Sequence, residues 1–182
     1  PGLGAWLDSM LAAGSGAYGY LSGYLDGSGR LVELQQKEVA RDTDKPVRVL
    51  DGDITIDAIP VPHAIVPALG YRVTAGDVSI VFASDQNGSS DAFIDFARDA
   101  SVLVMHLPIP EGATGTAIKL HARPSDVARV AKTAGAETLV LSHFMARSLS
   151  DLDTNVDIVR NGFGGKVVVA SDLACMAVSD QS

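Results

Sequence analysis

From Ser84 onward the chain alternates short apolar strings with amphipathic ones, and this constrains the fold more than any other feature. SVLVMHL, TLVLSHF and KVVVAS have the length and the Val/Leu content of buried strands. Between them, RPSDVARVAKTAG and DLDTNVDIVRNGFG space their apolar residues as helices do and stop on glycine. SSDAFIDFARDA, with Ser and Asp at its start, predicts a further capped helix. Strand–helix–strand alternation of this kind predicts parallel strands joined by helical crossovers. Upstream the period changes. VRVLDGDITIDAIPV alternates around Asp51-Gly52, and ALGYRVTAGDVSIVFAS does so around Ala75-Gly76-Asp77, so each predicts a hairpin. Hairpins feeding into βαβ units imply a mixed sheet flanked by helices, an α/β (α+β) arrangement.

The N-terminal stretch is less regular. Residues 5–25 predict two helical pieces separated by a flexible turn at Gly14-Ser15-Gly16, which lacks the Lys and spacing of a phosphate loop. Trp6, Tyr18, Tyr20 and Tyr24 are expected to pack in the core, with the lining of a substrate entrance as the alternative. No linker interrupts the chain, so residues 1–182 read as one folding unit. A net charge of −8, with 14 scattered basic residues, argues against a nucleic-acid partner, whose phosphates call for clustered Lys and Arg. No apolar run reaches the ~20 residues of a membrane helix, so no membrane partner is expected. The single cysteine, Cys175, excludes an internal disulfide and a Cys-only zinc site, and is expected to pack inertly on an apolar strand. The chain opens Pro1-Gly2-Leu3-Gly4, without Met or a secretory leader. The expectation is a piece of a longer polypeptide in the cytoplasm, with the periplasm left open.

Chemistry concentrates at strand ends. The predicted strands ending VSIVFAS, SVLVMH and TLVLSH deliver Asp85, His106 and His143. The carboxyl ends of neighbouring parallel strands form one rim, where ligands commonly bind. A lone histidine at such a position is more often a hydrogen-bonded structural residue, and a lone Asp a turn or capping group. Their coincidence on one rim favours a site. Imidazole and carboxylate together suit zinc, manganese or iron. Ser142 lacks the Gly-x-Ser-x-Gly turn of a serine hydrolase. Asp151, Asp153 and Asp157 open a helix, where carboxylates favour the positive end of the dipole.

The strings PALGYRV, IVFASDQNGSSDAFIDFA, LHARPSDVARVAKTAGAETLVLSHF and VVVASDLACM resemble the C-terminal half of metallo-β-lactamase-fold hydrolases, nearest the branch of ribonuclease Z and related arylsulfatases. The likeness runs from about Val61 to Val178, and Pro1-Gly2-Leu3 is similar to the Gly-Pro-Gly turn that precedes the second half in that branch. The resemblance implies half of a four-layer αββα sandwich with a dinuclear metal site, two zinc ions or else manganese or iron. It implies Asp85 as the carboxylate bridging both metals and a catalytic residue, and His143 as a ligand to the second metal. His121 matches a position near the scissile group, where it would contact a substrate oxygen or give a proton to the leaving group. His63 and His106 would stand beside the pocket.

The implied activity is hydrolysis of a small-molecule ester (phosphodiester, sulfate ester or carboxylic ester) by a metal-bound hydroxide. The family's His-x-His-x-Asp-His motif is absent, which implies a missing N-terminal half or a dimer mate as partner. Ser84-Asp85-Gln86 replaces the usual Gly-Asp-Thr, and Leu107 stands where ribonuclease Z commonly has Glu. The alternative function is a non-catalytic half-domain serving as scaffold or partner-binding module.

Overall fold

A computed structural model describes residues 2–30 and 32–178 of the chain. Two compact units are seen, Pro1–Ala40 and Arg41–Ser182, within the stretch that the sequence reads as one folding unit. The first unit holds helix α1 (Leu3–Leu11) and a short helix α2 (Gly23–Asp26), with a single-turn 3-10 helix at Gly19–Leu21. The turn between the pieces falls at Gly14, whose φ of 77° suits glycine. Trp6, Tyr18 and Tyr20 do not pack in a core: all three are exposed, and α1 buries none of its residues. Forty residues bury too little surface to enclose large aromatic rings.

The second unit carries one seven-stranded sheet in simple sequence order. Its strands are β1 (Val47–Leu50), β2 (Ile54–Val61), β3 (Ala68–Ala75), β4 (Val78–Phe82), β5 (Val102–His106), β6 (Thr138–Ser142) and β7 (Lys166–Val169). β1 to β4 pair antiparallel and β4 to β7 parallel, as the change of period in the sequence predicts. The connections carry α3 (Asp91–Phe96), α4 (Ala117–Leu120), α5 (Pro124–Ala134), α6 (Ala146–Leu149) and α7 (Leu152–Phe163). Ser90 caps α3 by accepting a hydrogen bond from the Phe93 amide, while α5 begins on Pro124 and stops at Gly135, φ 68°. Among the described residues no helix is long and apolar enough to cross a membrane.

The period of two along each strand divides the sheet into two unlike faces. On one, Val81, Leu103 and Leu139 are in register and fully buried beneath Phe93, Val127, Val130 and Val159 of α3, α5 and α7. On the other, Tyr71, Phe82, Val104, Val140 and Val168 form a cross-sheet row. Tyr71 and Phe82 of that row are exposed, as is Ile54 farther along the same face. Cys175 does not belong to a strand: β7 ends at Val169 and the cysteine is exposed.

The covered face is tightly packed at Gly70 of β3. A Cβ there would lie 2.9 Å from Cε2 of Phe93 and 3.3 Å from the Phe82 carbonyl. Phe93 is fully buried and has no space to swing into. Gly70→Ala is expected to destabilise the fold by about 1–3 kcal/mol through overpacking. A urea midpoint equal to that of the parent chain would contradict this.

Candidate metal centre

β2, β4, β5 and β6 point the same way, so their C-terminal ends share one rim. Each delivers an ionisable residue: His63 just past β2, Asp85 just past β4, His106 as the last residue of β5, and His143 directly after β6. His121, at the C-terminus of α4 in the β5–α5 connection, joins them. Three of the four histidines, His106, His121 and His143, therefore gather around the Asp85 carboxylate, while His63 stands behind His121.

Asp85 Oδ1 is the hub. It accepts a hydrogen bond from His106 Nδ1 at 2.9 Å, with His121 Nδ1 at 3.2 Å and His143 Nε2 at 3.5 Å. A carboxylate only accepts, so Nδ1 of His106 is the donor, which leaves Nε2 as the ring nitrogen free to face a ligand. The His106 and His143 rings lie 4.6 Å apart between centroids. Asp85, His106 and His143 each offer one ligand atom, and the three atoms fall within 4.8 Å of one another. The shared position of Asp85 and His143 on one rim is as the strand ends predict. His106, read from sequence as a pocket neighbour, stands inside the donor cluster.

Burial alone would raise the Asp85 pKa, but the His106 hydrogen bond and the charges of His106, His143 and His121 more than offset it. The net effect holds its carboxyl below the usual value. His121 goes down: its burial outweighs the lift from Asp85, with His63, His143 and Arg147 adding to the fall. Its Nδ1 is buried and, despite lying near Asp85, makes no hydrogen bond. Gln86, next to Asp85 in the chain, is also buried, donating from Nε2 to the Ala83 carbonyl while Oε1 stays unpaired.

The backbone here is strained. Ala64, Ser84 and His143 have φ of 50°, 54° and 54°, a region costly for residues with a Cβ. For Ser84 this accounts for the Gly-Asp-Thr pattern from which the chain departs: glycine adopts that φ freely, and serine holds it to keep Asp85 aimed at the rim. Leu107, where ribonuclease Z commonly has Glu, is fully buried. An unpaired carboxylate would be costly there.

The mixed sheet with a His/Asp cluster at the ends of its parallel strands matches a solved structure of the metallo-β-lactamase fold. Residues 13–144 match the model of the beta-lactamase superfamily domain, and the chain belongs to that family. It is 27% identical over 136 residues to "Probable metallo-hydrolase YhfI" of Bacillus subtilis (strain 168), covering 70% of this chain and 54% of that protein. It is 34% identical over 84 residues to "Ribonuclease Z" of Haloarcula marismortui, covering 46% of this chain and 27% of that enzyme. The crystal structure of YhfI superposes with a TM-score of 0.59 at 28% identity, over 74% of this chain and 53% of that one. Human tRNase Z, short form, shares the fold with a TM-score of 0.58 at 20% identity, over 75% of this chain and 48% of that one. The chain thus spans about half the length of YhfI and about a quarter of the archaeal ribonuclease Z.

Proposed function

We propose that this chain is the C-terminal part of a metal-dependent hydrolase that cleaves a phosphodiester, sulfate ester or carboxylic ester at a dinuclear site. The observation that carries the reading is the gathering of Asp85, His106, His121 and His143 around one carboxylate oxygen. Two imidazoles and a carboxylate fit zinc, and also manganese or iron. Asp85 and His143 would hold the metal, with His106 joining them or orienting Asp85 through its hydrogen bond. Bound there, a divalent ion would lower the pKa of water and polarise the ester oxygen. Three donors suffice for one catalytic zinc, so a second ion needs ligands from elsewhere.

His121 stands at the same oxygen but outside the donor set. Its lowered pKa keeps the ring neutral near pH 7, with one N–H and one lone pair. That state suits a hydrogen bond to a substrate oxygen better than delivery of a full proton to the leaving group. In the whole protein, His121→Ala is expected to slow hydrolysis roughly 10²–10⁴-fold while metal content stays unchanged. Equal loss of metal would reassign His121 as a ligand.

The remaining ligands would come from a covering half, supplied by the same polypeptide or by a second copy. His106 lies in line with Val102 and Val104 on the face of β5 turned away from α3, α5 and α7, the same face that carries the exposed Tyr71 and Phe82. One covering element would complete both the site and that face. The reading is tested by elemental analysis of the purified full-length protein together with turnover of p-nitrophenyl phosphodiester, sulfate and acetate substrates. Retained metal with turnover of any of the three supports the hydrolase. Neither metal nor turnover would favour the scaffold alternative.

A further inference from the structure

The Nδ1 of the His121 ring is buried and makes no hydrogen bond. The backbone on either side is fastened instead. On the N-terminal side, His63 Nδ1 meets the Leu120 carbonyl at 2.7 Å. On the C-terminal side, the Ala122 amide donates to the Gln86 carbonyl, also at 2.7 Å. The two fastening segments are themselves joined, because the Asn87 amide donates to the Pro62 carbonyl at 3.0 Å.

We infer that His63 is a positioning residue for His121, acting through the Leu120 carbonyl. A backbone carbonyl carries no proton, so His63 Nδ1 must be the donor. The acceptor is one of the last carbonyls of α4, a group without an intrahelical partner. By satisfying it, His63 fixes the point where the chain leaves the four-residue helix and enters the extended conformation of His121, φ −131° and ψ 148°. The His63 ring also packs against the His121 ring, 5.2 Å between centroids. His63 itself is absent from the cluster of ligand atoms. Its reach to the reacting groups therefore runs through His121. The strained Ala64 immediately follows it, and the Ala64 carbonyl accepts from Arg41, so the loop bearing the clamp is itself held.

The importance of the clamp for hydrolysis rests on the function proposed above for His121, but the positioning is measurable in this chain alone. The variants are His63→Ala, His63→Phe, which keeps ring bulk without a donor, and His63→Gln, whose amide N–H can reach the carbonyl. The first readout is the ring ¹H–¹⁵N correlation spectrum of His121, alongside backbone amide spectra that report the fold. The parent and His63→Gln are expected to give one sharp His121 signal set; His63→Ala and His63→Phe should shift or broaden it while distant amides stay put. In the full-length protein, His63→Ala should lower kcat about 10–100-fold with KM and metal content near parental values, as misplacement of an aligned group does. His63→Gln should recover most of the loss. An unchanged His121 signal in both donor-less variants would overturn the proposal. So would failure of His63→Gln to rescue a folded protein that His63→Phe impairs. Full activity of His121→Ala would instead sink the function proposed for His121 and leave the spectroscopic result standing.

Discussion

Asp85→Ala is expected to remove metal binding and hydrolysis together, the largest effect of any single substitution in this unit. Asp85 is the one anion among three imidazoles, and its Oδ1 lies within 3.5 Å of a nitrogen on each. Without it, a divalent cation would face neutral donors only, and His106 would lose the hydrogen bond that sets its tautomer. Residues behind the ligands typically cost 10–100-fold in metal affinity, so removal of a direct carboxylate ligand should cost more than about 10²-fold. Zinc titration of this chain by calorimetry, and elemental analysis with turnover in the full-length protein, check the two halves of the expectation. Asp85→Asn keeps an acceptor for His106 without the charge and should lose metal while leaving the ring in place. Stoichiometric metal in Asp85→Ala would refute the assignment.

The same carboxylate carries a pH signature in the metal-free chain. Its native pKa is lowered, so its contribution to stability is fully present above the unfolded value near 4 and fades as pH falls through the native one. Acid unfolding followed across that window should therefore be shallower in Asp85→Ala than in the parent.

The sheet was legible because its signals are local. Alternation around Asp51-Gly52 and Gly76 marks hairpins, and the glycine stops at Gly135 and Gly164 mark helix ends with φ of 68° and 78°. Helices α4 and α6, four residues each, are too short to show a period and leave no signal in the sequence. Asp85, His106 and His143 could be placed on one rim because a strand end is a sequence-level feature. The Asp85–His106 hydrogen bond could not. It depends on the β4–β5 register, which sets Phe82 beside Val104, and on the left-handed turn at Ser84 that aims the carboxylate. The exposed Trp6, Tyr18 and Tyr20 show the opposite failure. Residue type suggested burial, but a 40-residue unit has little interior to offer.

The apolar face of the sheet opposite the helices is expected to govern how this chain behaves by itself. α3, α5 and α7 contribute to the core on one side only, while Tyr71, Phe82 and Ile54 on the other side are exposed at 37%, 42% and 50%. Contiguous apolar surface of this kind on a sheet is an interaction site or an aggregation liability. We therefore expect the chain alone to self-associate in a concentration-dependent way, measurable by sedimentation velocity, and to bind a hydrophobic dye. Phe82 stands within the row, paired with Tyr71 on one side and Val104 on the other. Burying an aromatic side chain of this size contributes about 1.5–3 kcal/mol in full, and roughly half of that for one already half covered. In a symmetric pair the residue counts twice, so Phe82→Lys should weaken self-association about 10–100-fold without loss of the fold. If the proposed second ion is held by an element that packs over Phe82, the same substitution should also impair metal retention in the full-length protein. A chain that stays monomeric at high concentration and leaves the dye unbound would show that this face needs no cover. Ligands for the proposed second ion would then have to come from somewhere other than an element packed on the sheet.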